Sequence, residues 1–343
     1  MKRRWRLAAA SAGVLCVLCA GAAVQAWMAG NARSGAGTAA GTKILAEESQ
    51  AVESLAAESL VTIEDNEIPL YSKPAGSHVL VPEAPGTVTH GNSVATLDIS
   101  NASQGYCMIK YTGSVSKIKV QITKGSVQYT YDLNARNDYE VFPFSEGDGT
   151  YSVKVFEQVS GNQYSQALSK DVPVSLVNQY LPFLYPNQYV NFSAGSAVVQ
   201  TGAQVAAGAA DEIGVVTAVY NYVVDNFTYD TAKAASVQSG YLPNVDSVLA
   251  AKRGICFDYA SVMTAMLRSQ NIPTKLVVGY TGNLYHAWVN VYIENVGWVD
   301  NFIYFDGVNW KLMDPTMASS AKNSEDIKKY IGDGANYKSK YSY

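Results

Sequence analysis

The feature that most constrains this chain is a change of hydrophobic period near residue 205. Before it, from about Val94 to Leu176, apolar and polar residues alternate. Ile118, Val120 and Ile122 interleave with Lys117, Lys119 and Gln121, and Tyr151, Val153 and Val155 with Ser152 and Lys154. A period of two marks strands with one face buried. Turn signals break the pattern at Gly113-Ser114, Lys124-Gly125, Asn134 to Asn137, Gly147-Asp148-Gly149 and Gly161-Asn162. About seven short strands separated this way read as an antiparallel β-sandwich, placed at 91–177. No catalytic constellation appears in it. Attachment, substrate presentation and a structural spacer are the readings of its role.

A connector at 178–204 contains Pro182 and Pro186. Beyond it the period becomes 3.6. Ile213, Val216, Val219, Tyr220, Val223 and Val224 fall on one helical face, and Asp211 is placed to cap that helix. A second helix is expected after Cys256, with Val262, Met263, Met266 and Leu267 as its inner stripe and Asn271-Ile272-Pro273 as its stop. Strand-like runs follow at 275–280, 287–293, 298–305 and 310–313. Helices first and an antiparallel sheet after them make 205–320 an α+β domain. Residues 321–343 read as a polar tail.

The first residues read as an address. Lys2, Arg3, Arg4 and Arg6 precede an apolar run from Leu7 to Val24, and Val24-Gln25-Ala26 fits a small-x-small cleavage site. Residues 1–26 are therefore expected to be a signal peptide and the protein to be secreted. The run is near the lower limit for a membrane span, so an uncleaved N-terminal anchor is the alternative. Residues 27–90 read as a linker or stalk, Gly-, Ala-, Ser- and Thr-rich at its start. The formal charge of −4 does not favour nucleic acid as a partner, because phosphate binding needs clustered Lys and Arg. The 24 tyrosines read most simply as a Tyr-rich β surface.

Cys16 and Cys19 lie inside the apolar run, so their C-x-x-C spacing is taken as accidental. Cys107, in Tyr106-Cys107-Met108-Ile109, reads as a small buried hydrophobe. Cys256 differs, because it opens a helix. Free N–H groups and a partial positive charge at a helix N-terminus favour the thiolate, and the Cys256 N–H is placed to help hold an oxyanion. The chain has three histidines. His78 and His90 lie in a Pro/Gly-rich stretch, whereas His286 opens a strand in Tyr285-His286-Ala287-Trp288. A histidine near a thiol can take its proton and return it to a leaving group. Asp314, in Leu312-Met313-Asp314-Pro315-Thr316, can orient the imidazole. Asp300 and Asp306 are rivals for that role. Asp246, Asp258 and Glu294 have solvent-facing or packing explanations, Asp258 by supporting the first helical turn.

Gly254-Ile255-Cys256-Phe257-Asp258-Tyr259-Ala260, Ile272-Pro273-Thr274, Val278-Gly279-Tyr280, His286-Ala287-Trp288 and Asp314-Pro315-Thr316 together resemble the bacterial transglutaminase-like superfamily over roughly 210–320. The resemblance implies a papain-like fold and a Cys256, His286, Asp314 triad, with Asp314 preferred over its rivals because Asp-Pro-Thr matches the family. Asn226-Phe227-Thr228-Tyr229-Asp230 is similar to the family's upstream turn. Tyr229 and Trp288 are thus candidates for cleft or oxyanion support, with packing as the other reading for Tyr229. Two features depart from the family. Asn290 stands where many members have Glu, and 301–309 forms an added hairpin or loop whose Phe302, Tyr304 and Phe305 border the cleft.

The expected molecule is multidomain: an N-terminal antiparallel β-sandwich followed by an α+β papain-like transglutaminase-like domain. The expected activity is thiol acyl transfer on peptide or amide bonds through a thioacyl intermediate, without a metal or other cofactor. Hydrolysis is expected to be at least as fast as cross-linking, because so short a catalytic domain should leave the intermediate open to water. The expected partner is a protein or peptide substrate, such as one of the cell envelope, and a membrane only if the N-terminal segment stays uncleaved. A non-catalytic cell-surface binding or structural module is the alternative.

Overall fold

The computed structural model describes residues 5–6, 77–294, 296–299, 303–305, 310–312 and 337–343. The expectations for the signal peptide, most of the stalk, Asp300, Asp306 and Asp314 lie outside the described residues. Among the described residues no helix is long and apolar enough to cross a membrane.

Eight strands occupy the period-two region: β1 (Thr89–Gly91), β2 (Ala95–Asp98), β3 (Tyr106–Tyr111), β4 (Ile118–Lys124), β5 (Val127–Asp132), β6 (Tyr139–Pro143), β7 (Gly149–Ser160) and β8 (Gln163–Val174). They form two antiparallel sheets, ordered β1-β2-β3-β6 and β8-β7-β4-β5, the second extended by Trp5–Arg6 pairing with β8. Register aligns the apolar rows: Val120 faces Val155 and Ile122 faces Val153. Leu97, Ile109 and Phe142 of one sheet and Val120, Tyr131 and Val153 of the other belong to one buried cluster. Tyr131 meets Phe142 edge-on across the sheets, with ring centroids 5.2 Å apart.

The tyrosines do not form a β surface. Tyr106, Tyr111, Tyr129, Tyr131 and Tyr151 are buried. Several are long enough to fill the core with the ring while the hydroxyl reaches a partner at its edge. Tyr111 Oη donates to Glu157 Oε1 at 2.6 Å, Tyr129 Oη to Glu146 Oε1 at 2.5 Å and Tyr151 Oη to the Gly147 carbonyl at 2.7 Å.

The C-terminal part is mixed α and β. Its helices are α1 (Ala197–Ala206), α2 (Glu212–Asn226), α3 (Thr231–Ser236), α4 (Val245–Ala251) and α5 (Cys256–Arg268). Asp211 caps α2 as expected, its Oδ1 accepting from Gly214 N at 2.8 Å. The buried stripe is Val215, Val216, Val219, Tyr220 and Val223, with Ile213 and Val224 at its margin. Helix α1 lies in what read as a connector. Its N-terminus is served from a distance, by Asp246 Oδ1 accepting from Val198 N at 2.9 Å. The inner-stripe expectation for α5 is corrected, since every residue of α5 is buried. Helices α1, α2 and α4 and strands β11 (Thr274–Thr281) and β12 (Leu284–Ile293) all pack against it.

The main C-terminal sheet runs β13-β12-β11-β16, with β13 at Gly297–Val299 and β16 at Tyr337–Ser342. The tail expectation is therefore corrected: 337–342 pairs along β11. Gly279 in the Val-Gly-Tyr motif makes this approach feasible, because a Cβ there would lie 2.1 Å from the Lys338 carbonyl and 2.8 Å from Trp288 Cη2. The run at 298–305 is also divided. Ile303–Phe305 (β14) leaves the main sheet and pairs with Trp310–Leu312 (β15) as a separate hairpin.

Candidate active site

Two short parallel strands, β9 (Thr228–Tyr229) and β10 (Arg253–Gly254), set the approach to α5. Gly254 is required there because a Cβ would lie 2.5 Å from Asp258 Cβ. The chain then passes through extended Ile255 into Cys256, the first helical residue. The first bond of the α5 ladder runs from Tyr259 N to Ile255 O at 3.1 Å. The N–H groups before Tyr259 thus point out of the helix end, where the partial positive charge concentrates.

Cys256 and His286 line the same cavity, which has a volume of about 80 Å³. His286 lies two residues inside β12 rather than at its start, opposite Gly279. Trp288, on the same face of the strand, is buried with its ring stacked on His286 at 6.5 Å between centroids. Trp288 thus packs beside the imidazole and is not among the residues that line the cavity. Tyr229 does not line the cavity either; it pairs with Gly254 and braces the strand leading to the thiol. Asp314 lies outside the described residues, so the described part of the expected triad is Cys256 and His286.

Residues from outside the C-terminal part also line this cavity. Lys119 and Thr130 from β4 and β5, with Asp132, line the cavity beside Gln188 and Tyr343. Lys119 Nζ lies 2.5 Å from Asp132 Oδ1. Gln188 Nε2 donates to the Asp132 carbonyl at 3.1 Å and to Glu140 Oε1 at 2.9 Å, tying the connector to the two-sheet region. Tyr343 reaches the cavity because its N–H and carbonyl pair with Leu276 at 2.9 and 3.0 Å. Its carbonyl also accepts from Arg268 Nη2 at 2.6 Å.

Asp258, expected to support the first helical turn, has further partners. Asp258 is fully buried. Its Oδ2 accepts from Ile255 N at 2.8 Å and from Lys233 Nζ at 2.7 Å, and its Oδ1 from Tyr241 Oη at 2.5 Å. Support of the first helical turn was legible from its position two residues after Cys256. The ion pair was not, because Lys233 arrives from a separate helix. Burial first, then the bond to Asp258, pushes the Tyr241 hydroxyl well above the usual phenol range.

Residues 199–301 match the transglutaminase-like superfamily. An uncharacterised Bacillus subtilis protein, YebA, is 35% identical over an alignment of 104 positions that covers 24% of this chain and 14% of the relative. The chain thus spans a small part of that relative's length. Among solved structures, a candidate cysteine protease from Cytophaga hutchinsonii is 16% identical, with 67% of this chain and 69% of that one covered and a TM-score of 0.29. The periplasmic domain of TgpA from Pseudomonas aeruginosa, bound to ethylmercury, is also 16% identical, with 72% and 80% covered and a TM-score of 0.31. Likenesses this distant transfer no residue roles.

Proposed function

From the premise that residues 199–301 are a transglutaminase-like domain, we propose that this protein is a cysteine enzyme that cleaves or transfers acyl groups of peptide or amide bonds. The observation that carries the reading is the shared cavity, in which a thiol at a helix N-terminus and an imidazole held on a strand line the same walls. In this scheme Cys256 attacks the amide carbonyl, and His286 accepts the thiol proton and delivers it to the departing amine. The N–H groups at the start of α5 stabilise the oxyanion, and Asp314 orients His286 as the family resemblance implies. Tyr229 and Trp288 act as supports, one of the nucleophile's strand and the other of the imidazole.

We read the two-sheet region as a β-sandwich that closes the cleft. A cleft walled in this way does not expose the thioacyl intermediate through the shortness of the domain, and the preference for water rests instead on what lines the cavity. The cavity is large enough for a few waters and has polar groups to hold them, among them Thr130, Gln188 and Ser239. An amine acceptor arrives as a cation, yet the one carboxylate among the described lining residues, Asp132, is already paired with Lys119. Water is thus the better-provided acceptor. Secretion with removal of 1–26, and a substrate in the cell envelope, complete the proposal.

The test incubates the protein with a panel of glutamine-containing peptides and a labelled primary amine, following both ammonia release and label uptake. Hydrolysis at least equal to uptake, with both lost in Cys256→Ala, is the expected result. Uptake clearly exceeding hydrolysis would overturn the acceptor preference alone. Silence across a broad panel together with an unreactive thiol would leave the binding-module reading in its place.

A further inference from the structure

A buried carboxylate two residues from a catalytic thiol is an unfavourable arrangement for a thiolate, because like charges in a low-dielectric setting disfavour one another's ionised forms. Asp258 is that carboxylate, fully buried on the first turn of the helix that Cys256 opens. The local geometry requires it: its bond to Ile255 N fixes the residue immediately before Cys256. The fold must therefore keep the carboxylate and offset its charge.

Lys233 supplies the opposite charge, and it is anchored to the strand that leads to the thiol. Asp230 caps α3 by accepting from Lys233 N at 2.9 Å. Asp230 N donates to the Gly254 carbonyl at 2.8 Å, and the Asp230 carboxylate pairs with Arg253 Nε at 3.0 Å. From this short helix Lys233 Nζ reaches Asp258 Oδ2 at 2.7 Å and Tyr241 Oη at 2.6 Å, and lies 4.3 Å from the Tyr241 ring centroid. Tyr241, in turn, lines the cavity. One hydrogen-bonded unit thus joins the helix start, the α3 helix and the cavity wall.

We propose that Lys233, Asp258 and Tyr241 are positioning residues that set the catalytic turn and balance charge behind Cys256, so that the carboxylate holding the turn does not suppress the thiolate. The proposal rests on Cys256 being the nucleophile. The thiol also faces other titratable groups. Strand β12 presents His286 and Tyr285, and Tyr189 and Tyr343 close the same cavity. The two-sheet region brings Lys119 and Asp132, whose pairing contributes no net charge. Lys233 and Asp258 are the pair whose separation changes the charge directly behind the helix start.

The experiment is the pH profile of Cys256 alkylation by iodoacetamide, read by mass spectrometry on the full chain. Lys233→Met leaves Asp258 unbalanced and should raise the midpoint by about one pH unit. Lys233→Arg keeps the charge and should hold it near the wild-type value. Asp258→Asn leaves Lys233 unopposed and should lower the midpoint, and the double variant should return towards wild type. A purely structural role would not move the two single variants in opposite directions. If Asp258→Asn does not fold, the Met and Arg variants at position 233 decide. Coincident profiles for Lys233→Met, Lys233→Arg and wild type would overturn the proposal. An unreactive Cys256 in the wild type would instead remove the enzyme reading on which it rests.

Discussion

Cys107 and Cys256 belong to different regions and are almost equally buried, 1% and 3% exposed, and neither is in a disulfide. Burial is therefore not what distinguishes them. Cys107 sits inside a strand, opposite Phe142 and within the core of the two-sheet region. Burial there pushes its thiol far above the ordinary range, which disfavours the reactive thiolate. Cys256 sits at the end of an element, where backbone N–H groups are not consumed by the ladder, and its side chain lines a cavity that also holds His286. Two regions with similar packing thus offer one thiol a surrounding that favours its neutral form and the other a surrounding that can favour its anion. The difference lies in which backbone groups, charges and openings face the sulfur.

The largest effect expected from breaking this contrast is loss of turnover. Cys256→Ala should reduce any peptide or amide hydrolysis by about a thousandfold or more, whereas Cys107→Ala should leave the rate within a few-fold and lower stability by about 1–3 kcal/mol. Peptide-panel kinetics beside thermal melts separate the two. Next in size is a stability effect at the far end of the helix that Cys256 opens. Arg268 is fully buried and donates to the carbonyls of Tyr185, Thr274 and Tyr343 at 2.6 to 2.9 Å. Arg268→Ala leaves those buried oxygens short of a donor and opens a cavity, and should cost about 2–4 kcal/mol. Urea denaturation would measure it, and a cost below about 1 kcal/mol would contradict the role given to Arg268 in holding the C-terminal strand.

A smaller effect tests whether the N-terminal region takes part in the site. Thr130→Trp should narrow the cavity from the β5 side and raise KM about tenfold, equivalent to about 1.4 kcal/mol, with the melting temperature little changed. An unchanged KM would return that region to the role of a spacer. The smallest effect is a pH dependence. Desolvation at the start of α2 raises the Glu212 carboxyl above 4.5. Its Oε2 accepts from Glu294 N at 2.7 Å, while Oε1 is buried without a partner among the described residues. A carboxyl whose folded value is raised takes up its proton more readily when folded, so its contribution declines as pH rises from 4.5 through the raised value. Glu212→Gln should abolish that decline and add about 1 kcal/mol or less at neutral pH. Melts from pH 4 to 8 that run parallel for the two proteins would contradict this.

What was legible in the sequence follows from what is local. Period-two alternation located β4 and β7 because each buries a row facing the shared core. Asp211 announced α2 because a cap acts within three residues. The Cys256 and His286 motifs stood out through their resemblance to the transglutaminase-like superfamily, and the structure adds the reason for two of their glycines, where a Cβ would collide with Asp258 or with the Lys338 carbonyl. What was missed depends on distant partners. Helix α1 is capped by Asp246, 48 residues on from the Val198 N–H it serves. Strand β16 looks polar because it lies at the sheet edge, held largely through backbone pairing with β11. The Lys233–Asp258 pair and the cavity wall at Thr130 and Asp132 join residues that no short window brings together. Tyrosine count misled because the ring and the hydroxyl answer to different surroundings.

The relative reactivity of the two thiols in the native protein decides most directly whether Cys256 is activated. Iodoacetamide labelling at neutral pH, quantified peptide by peptide, should modify Cys256 much faster than Cys107. His286→Ala should slow the Cys256 reaction while leaving Cys107 protected until the protein is unfolded. Equal rates, or faster labelling of Cys107, would contradict the claim that the helix start and His286 activate Cys256.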